Sequence, residues 1–309
     1  MIYFCHIPRT SGTSVSHAVY AAFHKELRIL RKPDIEQFDP WFSRGIDKTD
    51  YQSFLKKCYL NTDFFYGHHY SSPYIEPYSE NLETFSIVRN PLERMISEFY
   101  YSNKNVSDSD WKNNRNHEIK NFLYSPKNSS QCYWLLGDYD WEKMKLIKNI
   151  VFTHWLQEKE ISFQEILQII KKRNIKLSTL ENRTYLLNEL EVSLNKIKKT
   201  NISLDKELKV NENFKIEKRP EFNNPECFLS QQEIETFKNL YSLDYQLYNY
   251  IKDHVQKNLQ KRCDKILEDN EFIEPGDHFG YIYLITNLLT GKKYIGRKYF
   301  TKAHTRQVK

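Results

Sequence analysis

The chain has 309 residues, 39% apolar and 15% aromatic, with 46 Lys and Arg against 40 Asp and Glu for a net charge of +6. That is enough apolar sequence to bury one large core or two, but no apolar run approaches the ~20 residues of a membrane span. Five scattered cysteines (Cys5, Cys58, Cys132, Cys227 and Cys263) with no C-x-x-C pair argue against a structural zinc and for a reducing, cytoplasmic compartment. The first apolar run, Ile2 to Ile7, is short, β-branched and aromatic, so it reads as a buried strand stopped by Pro8. Arg9-Thr-Ser-Gly-Thr-Ser14 then forms a hydroxyl-rich turn, and Val15, Val19, Ala22 and Phe23 recur at helical spacing. Strand, tight turn and helix N-terminus gather backbone N–H groups and the positive end of a helix dipole around an anion. Gly12 would let the backbone approach that anion, the hydroxyls of Thr10, Ser11, Thr13 and Ser14 would add donors, and Arg9 would bring a fixed cation.

Spacing rules out two common cradles. A Walker A loop reads G-x-x-x-x-G-K-S/T, whereas Ile7 and Thr13 stand here at its first Gly and its Lys. A dinucleotide fingerprint needs three glycines and this turn has one. His6-Ile-Pro-Arg-Thr-Ser-Gly-Thr-Ser14 resembles instead the 5′-phosphosulfate loop of carbohydrate sulfotransferases of the heparan sulfate 2-O-sulfotransferase-like kind, where H-I-P-K-T-G/A-G-T-S is usual. Arg9 stands where that family has Lys.

Residues 15–60 read as helix and connections broken by Pro33 and Pro40, and Phe64-Phe-Tyr66 as a short strand ending at Gly67. Thr84 to Val88 is another buried-strand pattern, followed by a legible helix start: Asn90 as N-cap, Pro91 at the first helical position, Glu93 closing a capping box. Arg94, Ser97 and Tyr101 share a face of that helix. Val88-Arg-Asn-Pro-Leu-Glu-Arg94, Ser97 and Tyr100-Tyr101 resemble the same family's 3′-phosphate site, usually R-D-P-x-E-R-x-x-S-x-Y. The resemblance implies that Arg89 pairs with the 3′-phosphate and Ser97 hydrogen-bonds it; Arg94 reads as a structural ion pair with a carboxylate such as Glu93 or Glu98. Gly67-His68 matches the Gly-His that carries the family's catalytic base, with His69 the neighbour that could be mistaken for it.

Farther on, Trp111 to Tyr124, Trp141 to Lys148 and Phe163 to Lys172 look helical, the last with a core-facing stripe. Arg183 to Leu194 resembles the family's later strand and helix, and Ser230-Gln-Gln-Glu233 is a capping box opening a helix through Asp244 to Tyr248. Asn211 to Lys218 is a candidate cofactor cover. Four of the eight glycines, Gly276, Gly280, Gly291 and Gly296, fall in the final stretch, which marks a boundary. There Tyr281-Ile-Tyr283 and Tyr294-Ile-Gly296 alternate as two strands and resemble the opening hairpin of GIY-YIG nucleases. The chain stops at Lys309 and Arg306 is an ill-placed match for that family's Arg, so the expectation is a truncated or fused remnant and no nucleic-acid partner.

The resulting expectation is an α/β fold, a P-loop-like three-layer sandwich with a central parallel sheet. Residues 1–255 form a sulfotransferase domain, 256–277 a linker and 278–309 a partial hairpin. The resemblance implies sulfuryl transfer from 3′-phosphoadenosine 5′-phosphosulfate (PAPS) to a hydroxyl, that of a carbohydrate, with His68 as base, Arg9 as cation on the leaving phosphate, and no metal. Arg9, Thr10, Ser11, Gly12, Thr13, Ser14, Arg89 and Ser97 would bind the donor. The rivals are a P-loop nucleotide phosphotransferase, whose Lys and Mg²⁺-ligand pattern this loop lacks, and an endonuclease fragment fused to a non-catalytic domain. Acceptor identity and oligomeric state stay open at this level.

Overall fold

A computed structural model describes residues 1–30, 62–67, 82–103, 115–125, 130–136, 162–205, 225, 228–269, 280–286 and 293–299. The chain divides into two compact units, Met1–Lys252 and Asp253–Lys309. In the first unit, β1 (Ile2–Cys5), β2 (Ile29–Leu30), β3 (Phe64–Gly67), β4 (Glu83–Val88) and β5 (Ile175–Thr179) form one sheet in the order β2-β3-β1-β4-β5. Every strand pair in it is parallel. Strands of a parallel sheet covered on both faces are mostly apolar. β1 (Ile-Tyr-Phe-Cys) reads that way, while β4 (Glu-Thr-Phe-Ser-Ile-Val) buries Thr84 and Ser86 among its apolar residues. Ile2, Tyr3 and Phe4, like Phe85, Ile87 and Val88, are fully buried.

The helices are α1 (Gly12–Phe23), α2 (Pro91–Ser102), α3 (Arg115–Leu123), α4 (Gln131–Leu136), α5 (Phe163–Lys172), α6 (Arg183–Lys198), α7 (Gln231–Leu240) and α8 (Ser242–Asp269). Val15, Val19 and Phe23 of α1 and Leu186, Leu187, Leu190 and Leu194 of α6 pack with Ile2, Phe4, Phe64, Phe85 and Ile87, so these two helices cover one face of the sheet. Side chains alternate along a strand. On the other face Tyr3 stacks on Phe65 with centroids 5.2 Å apart, and the Cys5 thiol meets the Trp134 carbonyl of α4. A second apolar cluster joins α2, α3 and α7 through Leu92, Ile96, Phe99, Ile119, Leu123, Ile234 and Phe237.

Several expectations are corrected here. β1 ends at Cys5, two residues early, because Thr10 Oγ1 turns back to donate to the Ile7 carbonyl at 2.8 Å and bends the chain out of the sheet. Arg183 to Leu194 is helix from its first residue; the strand before it is β5, hidden by its half-polar pattern Ile-Lys-Leu-Ser-Thr. The capping box at Ser230 forms, but its helix breaks at Tyr241 before α8 begins. The charged stretch expected as a linker continues α8 as far as Asp269. Residues 141–148 and 211–218 lie outside the described residues. In the second unit, β6 (Gly280–Thr286) pairs antiparallel with β7 (Lys293–Tyr299), with Tyr283 opposite Gly296 and Ile285 opposite Tyr294.

Asp63 ties the start of β3 to two other elements. Its carboxylate accepts from the Arg28 backbone N–H and from the Nε and Nη2 of that guanidinium (2.9–3.2 Å), and from Lys198 Nζ of α6 at 2.7 Å. Burial pushes this carboxyl up, but the bonds from Arg28 and Lys198 outweigh it and hold it well below the usual carboxylate range. A depressed folded pKa stabilises the protein above the unfolded value of about 3.9, and that contribution is lost as pH falls. Asp63→Asn is therefore expected to lower stability by about 1–2 kcal/mol at pH 7 in urea melts, with the difference from wild type shrinking steadily below pH 4. A difference that grows in acid would sink this account.

Candidate active site

The connection from β1 runs through α1 to β2 on one side of the sheet, while the chain leaving β4 reaches β5 on the other. β1 and β4 are neighbours, so the crevice beyond their carboxyl ends is the topological switch point where open α/β sheets bind ligands. The turn after β1 and the Arg89-Asn90 corner after β4 both open there.

Arg9 and Ser11 both occupy the left-handed region, with φ of 67° and 73°. For residues with a Cβ, each costs roughly 1–3 kcal/mol and persists only where surrounding structure imposes it, commonly at ligand clamps. Thr10 between them is fully buried, its hydroxyl spent on Ile7. Ser11 is the N-cap of α1 yet makes no side-chain capping bond; its hydroxyl instead accepts from Arg183 Nη1 at 3.4 Å. Thr13 and Ser14 follow in the first helical turn, where N–H groups lack intrahelical partners. Gly12 is required for space: a Cβ there would overlap the His6 imidazole. The neighbour that demands glycine is thus a side chain of the same loop.

Arg9 reaches across to α2. Its Nε donates to Ser97 Oγ at 3.0 Å, and its guanidinium carbon lies 4.6 Å from the centre of the Tyr101 ring. Burial pulls the Arg9 pKa down, with Glu98 opposing that shift and Arg89 adding to it. The bond from Arg9 to buried Ser97 joins the two loops that the sequence marked separately.

Arg89 is buried at the end of β4, and Nε donates to Glu93 Oε2 at 3.3 Å. Burial lowers its pKa, opposed by Glu93 and by Glu181, which follows β5. Asn90 caps α2 as expected, accepting from the N–H groups of Leu92 and Glu93. Glu93 turns its carboxylate to Arg89, so the expected second half of the capping box gives way to an ion pair. Arg94 is 2% exposed, donates to the Met95 sulfur and places its charge beside the Asp244 carboxylate of α8. Gly67 ends β3 opposite Cys5 and accepts from the His6 N–H at 2.9 Å. His68 and His69 follow it in the chain and lie outside the described residues.

A family profile described as "Sulfotransferase family" matches residues 1–251. The chain belongs to the sulfotransferase family. Its chemistry is therefore sulfuryl transfer from a sulfate donor to a hydroxyl acceptor. Residues 266–309 are similar to a domain described as "Putative endonuclease segE, GIY-YIG domain". No curated protein matches the chain. Among the described residues of this sulfotransferase, no helix is long and apolar enough to cross a membrane, and no cluster of three His, Cys, Asp or Glu could hold a metal.

The sulfotransferase site also contains residues that the sequence did not single out. Arg183 opens α6 and contacts Ser11 from the far side of the loop. Glu181 accepts from the Tyr248 hydroxyl at 3.1 Å and places its charge near Arg89. Gln131 and Asp244 sit behind Arg89, as described below. Arg183 and Asp244 fell within stretches read for their secondary structure alone, and Gln131 and Glu181 carried no signal.

Proposed function

We propose that the donor is PAPS, that the acceptor is a carbohydrate hydroxyl, and that the two loops at the switch point grip the donor's two phosphate ends. The observation that carries this reading is the Arg9–Ser97 hydrogen bond, because it sets the turn after β1 against the helix after β4. Thr10, Ser11, Gly12, Thr13 and Ser14 supply the N–H groups and hydroxyls for the 5′-phosphate, and α1 adds its positive end. Arg89 and Ser97 hold the 3′-phosphate. In the transfer, the acceptor oxygen forms a bond to sulfur as the bond from sulfur to the 5′-phosphate oxygen breaks. The acceptor proton passes to His68, and Arg9 neutralises the charge that develops on the leaving phosphate. Cys5 and Cys132 are free and buried, which supports a reducing, cytoplasmic setting.

The test is binding of adenosine 3′,5′-bisphosphate. Arg89→Ala removes a charge-assisted contact of about 1.5–3 kcal/mol, so calorimetry is expected to show a ten- to hundredfold loss for the bisphosphate. Affinity for adenosine 5′-phosphate should barely change. Unchanged bisphosphate affinity would remove Arg89 from the site.

A further inference from the structure

Arg89 is held from behind by a chain of buried polar groups drawn from distant parts of the sequence. The Arg89 backbone N–H donates to Gln131 Oε1 at 2.8 Å, and Gln131 Nε2 donates back to the Arg89 carbonyl at 2.7 Å. One side-chain amide therefore satisfies both main-chain groups of Arg89, as a neighbouring strand would, just where β4 ends. The carbonyl of Val88 is taken by Leu180 N–H at 2.8 Å, so the corner is pinned on both sides. Gln131 is itself fully buried at the start of α4. Its own N–H and that of Cys132 donate to the two carboxylate oxygens of Asp244, at 2.7 and 2.9 Å. Asp244 is buried as well, and the Arg94 charge lies near it.

We infer that Gln131 is the positioning residue for Arg89, with Asp244 as its buttress, and that this relay sets the protein's preference for a 3′-phosphorylated nucleotide. The inference rests on the donor reading above. The physical case is one of direction. A guanidinium already drawn toward Glu93 meets a 3′-phosphate only if its backbone cannot rotate, and the Gln131 amide fixes both peptide groups of that residue. Without Gln131, two buried main-chain groups lose their partners, and the corner must move to find others.

The experiment measures two dissociation constants on the full chain, for adenosine 3′,5′-bisphosphate and for adenosine 5′-phosphate. Gln131→Leu keeps the side chain's bulk without its hydrogen bonds. It is expected to weaken the bisphosphate about tenfold while leaving the 5′-phosphate within about twofold. Combined with Arg89→Ala, it should add less than about twofold, since the two residues act as one unit. Equal weakening of both nucleotides, or full additivity with Arg89→Ala, would reduce Gln131 to a merely structural part and overturn the inference. If Gln131→Leu lacks a cooperative melting transition, Asp244→Asn decides. It keeps one acceptor for the α4 N–H pair, and the nucleotide preference should fall about threefold; an unchanged preference overturns the relay. Equal wild-type affinity for the two nucleotides would overturn the donor assignment and the relay together. A wild-type preference that survives Gln131→Leu would overturn the relay alone.

Discussion

Arg9→Ala is expected to lower kcat by about 10²–10³-fold, the usual loss when one preorganised group facing developing charge is removed. The expectation comes from where Arg9 sits. It stands in a strained left-handed turn at the carboxyl end of the central strand, its guanidinium held by Ser97 on one side and Tyr101 on the other. A cation fixed in advance needs no reorganisation as charge builds on the leaving phosphate. Arg9→Lys keeps the charge but neither the Nε bond nor the flat stacking surface. It should fall between the two, within about tenfold of wild type. Single-turnover measurements under saturating donor isolate the chemical step. An Arg9→Ala enzyme with full kcat would take Arg9 out of the transfer and leave it a role in shaping the loop.

His68→Ala is expected to cost about 10²–10⁴-fold in turnover with donor affinity nearly unchanged, as befits loss of a general base. An alcohol becomes a useful nucleophile only as its proton leaves. Imidazole, with an ordinary pKa of about 6.5, suits that task near neutrality. The sign of the pH dependence follows: turnover should fall as pH drops through the pKa of the base, because a protonated ring cannot accept another proton. His69→Ala should be far milder. A dead His69→Ala beside an active His68→Ala would move the assignment by one residue. If neither substitution matters, the base is another group and the acceptor side must be read afresh.

These two residues also separate local from global information. The Asn90 cap, Pro91 at the first turn and the Ser230 capping box were legible because each depends on neighbours within three positions, and the unread Ser162 capping box forms the same way. The apolar run of β1 and the Phe85, Ile87 and Val88 of β4 marked two buried strands, and the family resemblance implied that their sheet is parallel. β5 was missed because Lys176 and Ser178 interrupt its apolar residues, and its strand character comes from pairing with β4.

What the amino-acid order determined by itself, then, was the two phosphate-type loops, the elements that flank them and the family they resemble. Tertiary structure alone decided how those loops meet. Arg9 and Ser97 are 88 positions apart, Gln131 and Arg89 are 42, Asp244 and Gln131 are 113, and Arg183 and Ser11 are 172. Hydrogen bonds over such separations leave no periodicity in the chain. They exist because parallel crossovers return distant segments to one end of the sheet, where buried donors and acceptors must find partners across elements.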